Sequence, residues 1–447
     1  MATRFYSNVE YGSSGRGSND PDYIYYNATI VNNNIANSDP NGFNGVGNYD
    51  DPQVVFNDMR QQPIMQNPSD YNMSVIRFDL AGATKSLPLF IPRIVPNQPN
   101  RDLTVYNVTV NVNVVSGAAP PLDNLIFFNT QPVIWESENV TPDNLPPEPV
   151  VNQNLSTDYY YCNTYQSWAV LVNKAVALAY ATVLTQLAAI SAVPAEVSTS
   201  PPPRLFFNPV DRLFSWSFDA RFWGADHTNT ALTFNGVSAN FQFNVGLDCN
   251  LETLLTNFRT GFVSGVEALL SWGTSGVSII RVDGQQIAID IDPTTGLPYT
   301  TPNATGHVRY VVTQDYGSIS GCWSPCDSIV ITSTKLPITP EFVAPAPGLV
   351  GASDFGINVG TTGSAIQPII ADVQVGHKGA DDWRGYILYD PQAEYRMLSL
   401  GRSTDPLVNV DLFIWWRNRY DNNLYPLRLY NGSSVSVKIL FRRKGVH

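Results

Sequence analysis

Charge is what this sequence has least of. Asp, Glu, Lys and Arg make up 14% of its 447 residues, against about 25% in ordinary soluble domains. The balance is acidic, with a formal net charge of −12. Arg442-Arg443-Lys444 is the one basic cluster. A general nucleic-acid binder needs a basic stripe to displace counterions, so no specific nucleic acid is expected as a partner. Histidine is nearly as scarce: His227, His307, His377 and His447 show no paired spacing. The cysteines are Cys162, Cys249, Cys322 and Cys326. Only the last two are close, and a zinc site needs two further ligands that the spacing does not supply. No metal or cofactor is expected; a Cys322–Cys326 disulfide is sterically open. The N-terminal stretch has no apolar leader, which is read as an intracellular origin with reduced thiols. No Gly-rich phosphate loop, nucleophile elbow or metalloprotease helix occurs. Asp381-Asp382 and Asp290 with Asp292 are acidic pairs. Glycoside hydrolysis would need such carboxylates across an aromatic-lined cleft, and turn or edge-strand acids are the better reading. No catalytic residue is named and no enzyme is expected.

What is present points to β-structure. Hydrophobic residues are 43% and aromatics 12%, with 33 Pro and 31 Gly, a composition for many strands joined by long loops. From Val408 to Trp416 apolar side chains alternate with Asn409 and Asp411, while Phe413 and Trp415 interrupt the polar face, so this strand is expected to be covered on both sides. Leu424–Leu429 reads as a short strand, Asn431-Gly432 as a tight hairpin, and Val435, Val437, Ile439 and Phe441 as one face of a closing strand. Upstream, strands are read at Tyr23–Val31, from Val54, over Tyr71–Phe78, at Leu87–Ile91 and over Leu103–Val115. The prolines between Ala118 and Asn154, Pro132 among them, argue against ladder strands there. Tyr165–Ala192 is the one long helical pattern. Its apolar length invites a transmembrane reading. Asn173, Lys174 and Gln186 interrupt it, so a buried or interfacial helix is expected, with no transmembrane span. Further strands follow over Leu205–Val245, a short helix over Leu251–Phe258, a hairpin-like pair over Ser278–Ile291 and strands at Val308–Thr313 and Ser328–Ser333, some sixteen strands in all.

Several stretches carry a family resemblance. Pro63-Ile64 through Asn67-Pro68-Ser69-Asp70-Tyr71, Ser74–Phe78, Leu87–Pro92, Ser328–Ser333 with Leu336-Pro337, Tyr389-Asp390-Pro391, and Lys438–Lys444 resemble the minor capsid and penton-type structural proteins of icosahedral eukaryotic double-stranded DNA viruses, the nucleocytoplasmic large DNA viruses and their smaller relatives. The resemblance covers residues 23–115 and 320–444. It implies an all-β viral jelly roll, single with a large insertion or as two β domains, plus one inserted helix. It also implies no catalysis, a place in the virion after assembly in the host cytoplasm, and contacts with neighbouring major and minor capsid proteins. A homo-oligomer is expected, a pentamer at the vertices being favoured. Five segments are expected: an N-terminal arm (1–22), the first β half of the roll (23–117), a Pro-rich connection with the helix (118–204), an inserted or second β region (205–320) and the closing strands (321–447). The arm is read as flexible unless a neighbouring subunit holds it. Core positions are assigned to Phe78, Trp415, Trp416, Ile439 and Phe441, and contacts to the arm, the Pro-rich loops and the helix. The alternative is a virion-surface glycan- or receptor-binding β module using exposed Trp and Tyr.

Overall fold

The computed structural model describes residues 3–12, 21–32, 54–116, 125–138, 148–155, 157–219, 222–223, 232–256, 258, 277–280, 309–314, 317, 323–338, 368–375, 385–391, 396–401, 405–430 and 432–445. In chain order the strands are β1 (Thr3–Gly12), β2 (Tyr23–Asn32), β3 (Val55–Met59), β4 (Tyr71–Ala81), β5 (Leu103–Ser116), β6 (Leu125–Ile134), β7 (Arg204–Asn208), β8 (Leu213–Asp219), β9 (Leu232–Phe234), β10 (Val237–Asp248), β11 (Val277–Ile280), β12 (Arg309–Thr313), β13 (Cys326–Thr332), β14 (Ile369–Gln374), β15 (Tyr386–Tyr389), β16 (Leu398–Ser399), β17 (Asn409–Asn418), β18 (Leu424–Pro426) and β19 (Ser434–Arg443). The helices are α1 (Ala83–Ser86), α2 (Tyr165–Ala188), α3 (Ala195–Ser198) and α4 (Cys249–Leu254).

Two sheets form a sandwich from the two ends of the chain. One has the order β1-β2-β19-β4-β15, and the other runs β14-β13-β17 with β3 and β18 sharing the far side of β17. All pairings are antiparallel. Taking β2, β3, β4, β13, β14, β15, β17 and β19 as first to eighth, the two sheets read 1-8-3-6 and 2-7-4-5, the strand arrangement of a jelly roll. Ile24, Tyr26, Ala28 and Ile30 of β2 face inward with Val435, Val437, Ile439 and Phe441 of β19. Val410, Leu412, Ile414 and Trp416 of β17 meet them from the other sheet in the same core. In β4 a bulge opposite Lys438 and Ile439 skips Ile76, so that Val75 and Phe78 both point inward.

The terminal strands therefore do not form a hairpin. β18 stays on β17 while β19 crosses to the other sheet between β2 and β4; Asn431 lies outside the described residues. Trp415 is buried as assigned, but in a second core: with Val330, Phe413 and Leu424 it forms a separate cluster on the opposite face of β17, the two-sided covering expected of that strand.

The expected N-terminal arm is a strand. All ten residues of β1 pair with β2, and the chain's own roll holds it. Phe5 packs edge-on against Phe56, with ring centroids 5.7 Å apart. Arg60 donates to Ser7 Oγ at 2.8 Å and to Asp58 at 2.9 Å, and the Tyr26 hydroxyl donates to the same carboxylate at 3.1 Å. Polarity misled because β1 is a margin strand, wetted on one face and along one edge.

The first half of the roll ends at Ala81, earlier than expected. Beyond it Gly82 takes φ +80°, where a Cβ would collide with Ser433. Leu87–Ile91 is an apolar buried run without a ladder, since Pro88 lies within it and Pro92 follows it; its bridge is Phe90 to Cys162. β5, expected within the roll, belongs to a separate sheet, β11-β10-β5-β6 with β9 on β10. Val108, Val110, Val112 and Val114 of β5 are buried. Leu103 and Val105 lie on the opposite parity with Asn107 and Thr109. A ladder strand, β6, does cross the Pro-rich stretch. Pro132 is tolerated because β6 is an edge strand and the register shifts beside it, so no partner needs its missing N–H. β7, β8 and β12 make a fourth, smaller sheet. Of the pair expected over Ser278–Ile291, β11 runs to Ile280 and the rest lies outside the described residues.

Helix α2 starts where Thr164 accepts from Ser167 N and the Glu138 carboxylate accepts from the amides of Asn163 and Thr164, both at 2.8 Å. Each polar residue that interrupts it is a tie. The Asn173 amide accepts from Leu205 N (2.6 Å) and donates to Leu205 O (2.8 Å) on β7. Lys174 pairs with Glu136. Gln186 reaches the Phe128 carbonyl of β6 at 3.4 Å.

Candidate assembly surfaces and the seam cleft

The chemistry-bearing residues singled out above do not converge. Cys322, all four histidines and both acidic pairs lie outside the described residues. Among the described residues no group of three His, Cys, Asp or Glu is placed to hold a metal ion. Cys162 and Cys326 are buried free thiols. Burial pushes the Cys162 thiol well up, and the Glu138 carboxylate adds to it; burial raises Cys326 likewise. Thiols held protonated in this way are poor nucleophiles. The basic C-terminal cluster is built into the roll. Arg442 lies in the ladder, Arg443 N donates to Asp22 O at 2.9 Å, and Lys444 Nζ donates to Ser69 O at 2.5 Å.

The insertion is joined to the roll by aromatic rings. Trp323, just before β13, stacks on Phe214 (5.6 Å between centroids, 18° between planes) and meets Phe90 and Tyr165 edge-on at 5.3 and 5.1 Å. Trp168 of α2 closes the group against Phe90 and Tyr106. Tyr161 reaches Trp416 in the roll. Beside this seam lies a cleft of about 710 Å³. Phe90, Ile94, Leu155 and Leu254 come from the insertion side, and Pro325 and Tyr420 from the roll.

Among the described residues the tryptophans offer no exposed aromatic platform for a glycan. Trp135, Trp168, Trp216, Trp223, Trp323, Trp415 and Trp416 are all 3% exposed or less. The exposed apolar side chains sit elsewhere. Tyr6 and Tyr11 are on β1, Tyr386 and Leu388 on β15, Phe128 on β6, and Val170 and Leu178 on α2. β1 and β15 are the two margins of one sheet.

Residues 24–443 match the family model described as Sputnik minor capsid protein V18/19. The chain belongs to that family. It is a minor capsid structural protein, a virion component and not an enzyme. Protein V18 of the Sputnik virophage is 28% identical over 174 residues, 38% of this chain and 90% of that one. A chain in the cryo-EM structure of the Sputnik virophage shares the fold of this V18/19 protein. The TM-score is 0.63 at 21% identity, covering 95% of this chain and 98% of that chain. The crystal structure of mavirus penton protein aligns more loosely, with TM-score 0.49 and 15% identity over 94% and 99% of the two chains.

Sequence reading found the strands of the V18/19 roll but neither the seam nor the cleft. Their residues run from Phe90 to Asp421, and no local spacing links them. The one local signal was Trp323 beside the Cys322 and Cys326 pair, noted for its thiols and not for its ring.

Proposed function

We propose that the V18/19 chain assembles as a homopentamer at the capsid vertices. One eight-stranded roll carries the reading. The roll, 21–81 with 323–445 and extended by β1, forms the shell-building domain, and residues 82–322 form a single insertion raised on it. The margins of the sheet that runs from β1 to β15, β1 with Tyr6 and Tyr11 and β15 with Tyr386 and Leu388, are different surfaces. A contact between unlike margins is head-to-tail, and such contacts close into a ring when the rotation from one subunit to the next divides the circle, at five subunits for one-fifth of a turn. The low charge favours burial of those margins, because few ions must be desolvated. The exposed side of α2, with Val170 and Leu178, serves contacts to neighbouring capsid proteins. Assembly takes place in the host cytoplasm, a reducing compartment that suits the free thiols.

Light scattering of the purified protein over a range of concentrations tests the ring. A discrete mass of five subunits is expected, and Leu388→Glu should reduce it to monomer. A monomer at every concentration, or a closed ring of another number, would overturn the pentamer.

A further inference from the structure

The cleft at the seam has the chemistry of a ligand site. At about 710 Å³ it lies within the range of small-molecule pockets. Its floor is apolar: Phe90, Ile91, Ile94, Leu155 and Leu254 are all buried. Most polar groups of its lining are engaged within the protein. Gln153 accepts from Ile94 N at 2.7 Å and donates to Pro92 O at 2.8 Å. The Asn250 amide donates to Val105 O at 3.2 Å, and Asn418 accepts from Tyr420 N at 3.0 Å. Both Asp421 oxygens are used, one by Asn423 N (2.9 Å) and one by the Tyr425 hydroxyl (2.7 Å). A polyhydroxylated ligand would find few spare partners here, and its hydroxyls would be left unpaired on the floor. Arg93 is different. It is exposed, it lines the cleft, and among the described residues no carboxylate is paired with it. An apolar floor with a single uncommitted cation selects an apolar body with one anionic head.

We propose that the seam cleft binds an amphipathic carboxylate, its acyl body on the Phe90–Leu254 floor and its head on the Arg93 guanidinium. The site draws on Pro325 and Tyr420 of the roll and Leu254 of the insertion, so an occupant bridges the two.

Titration calorimetry of the full-length protein with dodecanoate is the test. One saturable site per chain is expected, and acetate, which has the head without the body, should give none. Arg93→Gln should weaken dodecanoate about fivefold, the scale of one exposed ion pair. Thr253→Trp, an exposed position on the cleft wall, should fill the space and abolish binding. Both variants should melt with the parent. Absence of a saturable site, or parent-like binding by both variants, overturns the proposal. So does N-phenyl-1-naphthylamine, a neutral probe, binding in the cleft undisplaced by dodecanoate, which would mark an apolar docking groove instead.

Discussion

Asp411 is a buried carboxylate on the face of β17 that also carries Trp415. It accepts from Ser333 Oγ at 2.6 Å, Thr334 N at 3.0 Å and Lys335 N at 2.8 Å, and also from the Thr334 hydroxyl. Four donors in the turn after β13 thus depend on one side chain. Asp411→Ala would leave them unpaired, at a cost of about 2–4 kcal/mol, and Asp411→Asn should lose less. Urea denaturation of the two variants checks this; equal and negligible losses would refute it. A second residue-scale consequence concerns pH. Burial raises the carboxyl pKa of Asp79 despite the Ser436 hydroxyl and Arg77, and that of Asp102 despite Tyr159 and Arg101. The folded protein therefore keeps these protons to higher pH than the unfolded chain does. Their stabilising contribution is complete below the ordinary value of about 3.9 and is lost as pH rises through the raised one. Asp79→Asn removes one such loss. The stability difference between variant and parent should move in the variant's favour as pH rises through that window, then level off. Parallel curves across it would contradict the assignment.

β1 is the element whose role is most separable. It pairs with β2 alone, and β2 keeps β19 on its other side, so removing residues 1–12 leaves the eight strands of the roll paired. Truncation should therefore give a folded monomer, melting a few degrees lower by the loss of the Phe5 and Ser7 contacts, and should prevent ring formation. A truncated chain that still forms the full-length oligomer would remove β1 from the contact. The same element shows where sequence reading stops. β17 and β19 were legible because apolar residues recur at every second position, Val410 to Trp416 and Val435 to Phe441, and α2 because no Pro or Gly interrupts it. β1 was not, since Arg4, Tyr6, Asn8 and Glu10 face water and only Phe5, Ser7 and Val9 turn toward the roll. Turn chemistry at Asn431-Gly432 announced a change of direction but not that β19 would cross to the other sheet. Which strand pairs with which is set by contacts hundreds of residues apart, such as Lys438 opposite Asn27. The cleft was illegible for the same reason.

At the scale of the whole molecule, the question is whether roll and insertion unfold together. The topology separates them into distinct sheets, yet the buried side chains do not separate. Val112 of β5, Trp168 of α2, Trp323 at the seam and Ile439 of β19 belong to one continuous core. Trp323 is the point of coupling: it is 3% exposed and meets Phe90, Tyr165 and Phe214 of the insertion three residues before β13 of the roll. Cooperativity requires that opening one part expose surface the other part covers. A seam built of rings imposes that requirement, because each aromatic side chain buries about 150–250 Å². Calorimetry of the full chain should accordingly show one transition, with the calorimetric enthalpy matching the van't Hoff value. Trp323→Ala should cost about 3–5 kcal/mol and split the transition in two, since the cavity it leaves sits where the two parts share their core. Phe234→Ala is a control within the insertion alone. It removes a buried ring that packs on Phe241, far from β13 in the chain, so it should lower the midpoint without splitting it. Two transitions already present in the parent would mean that the aromatic seam joins the parts in space without coupling them in energy.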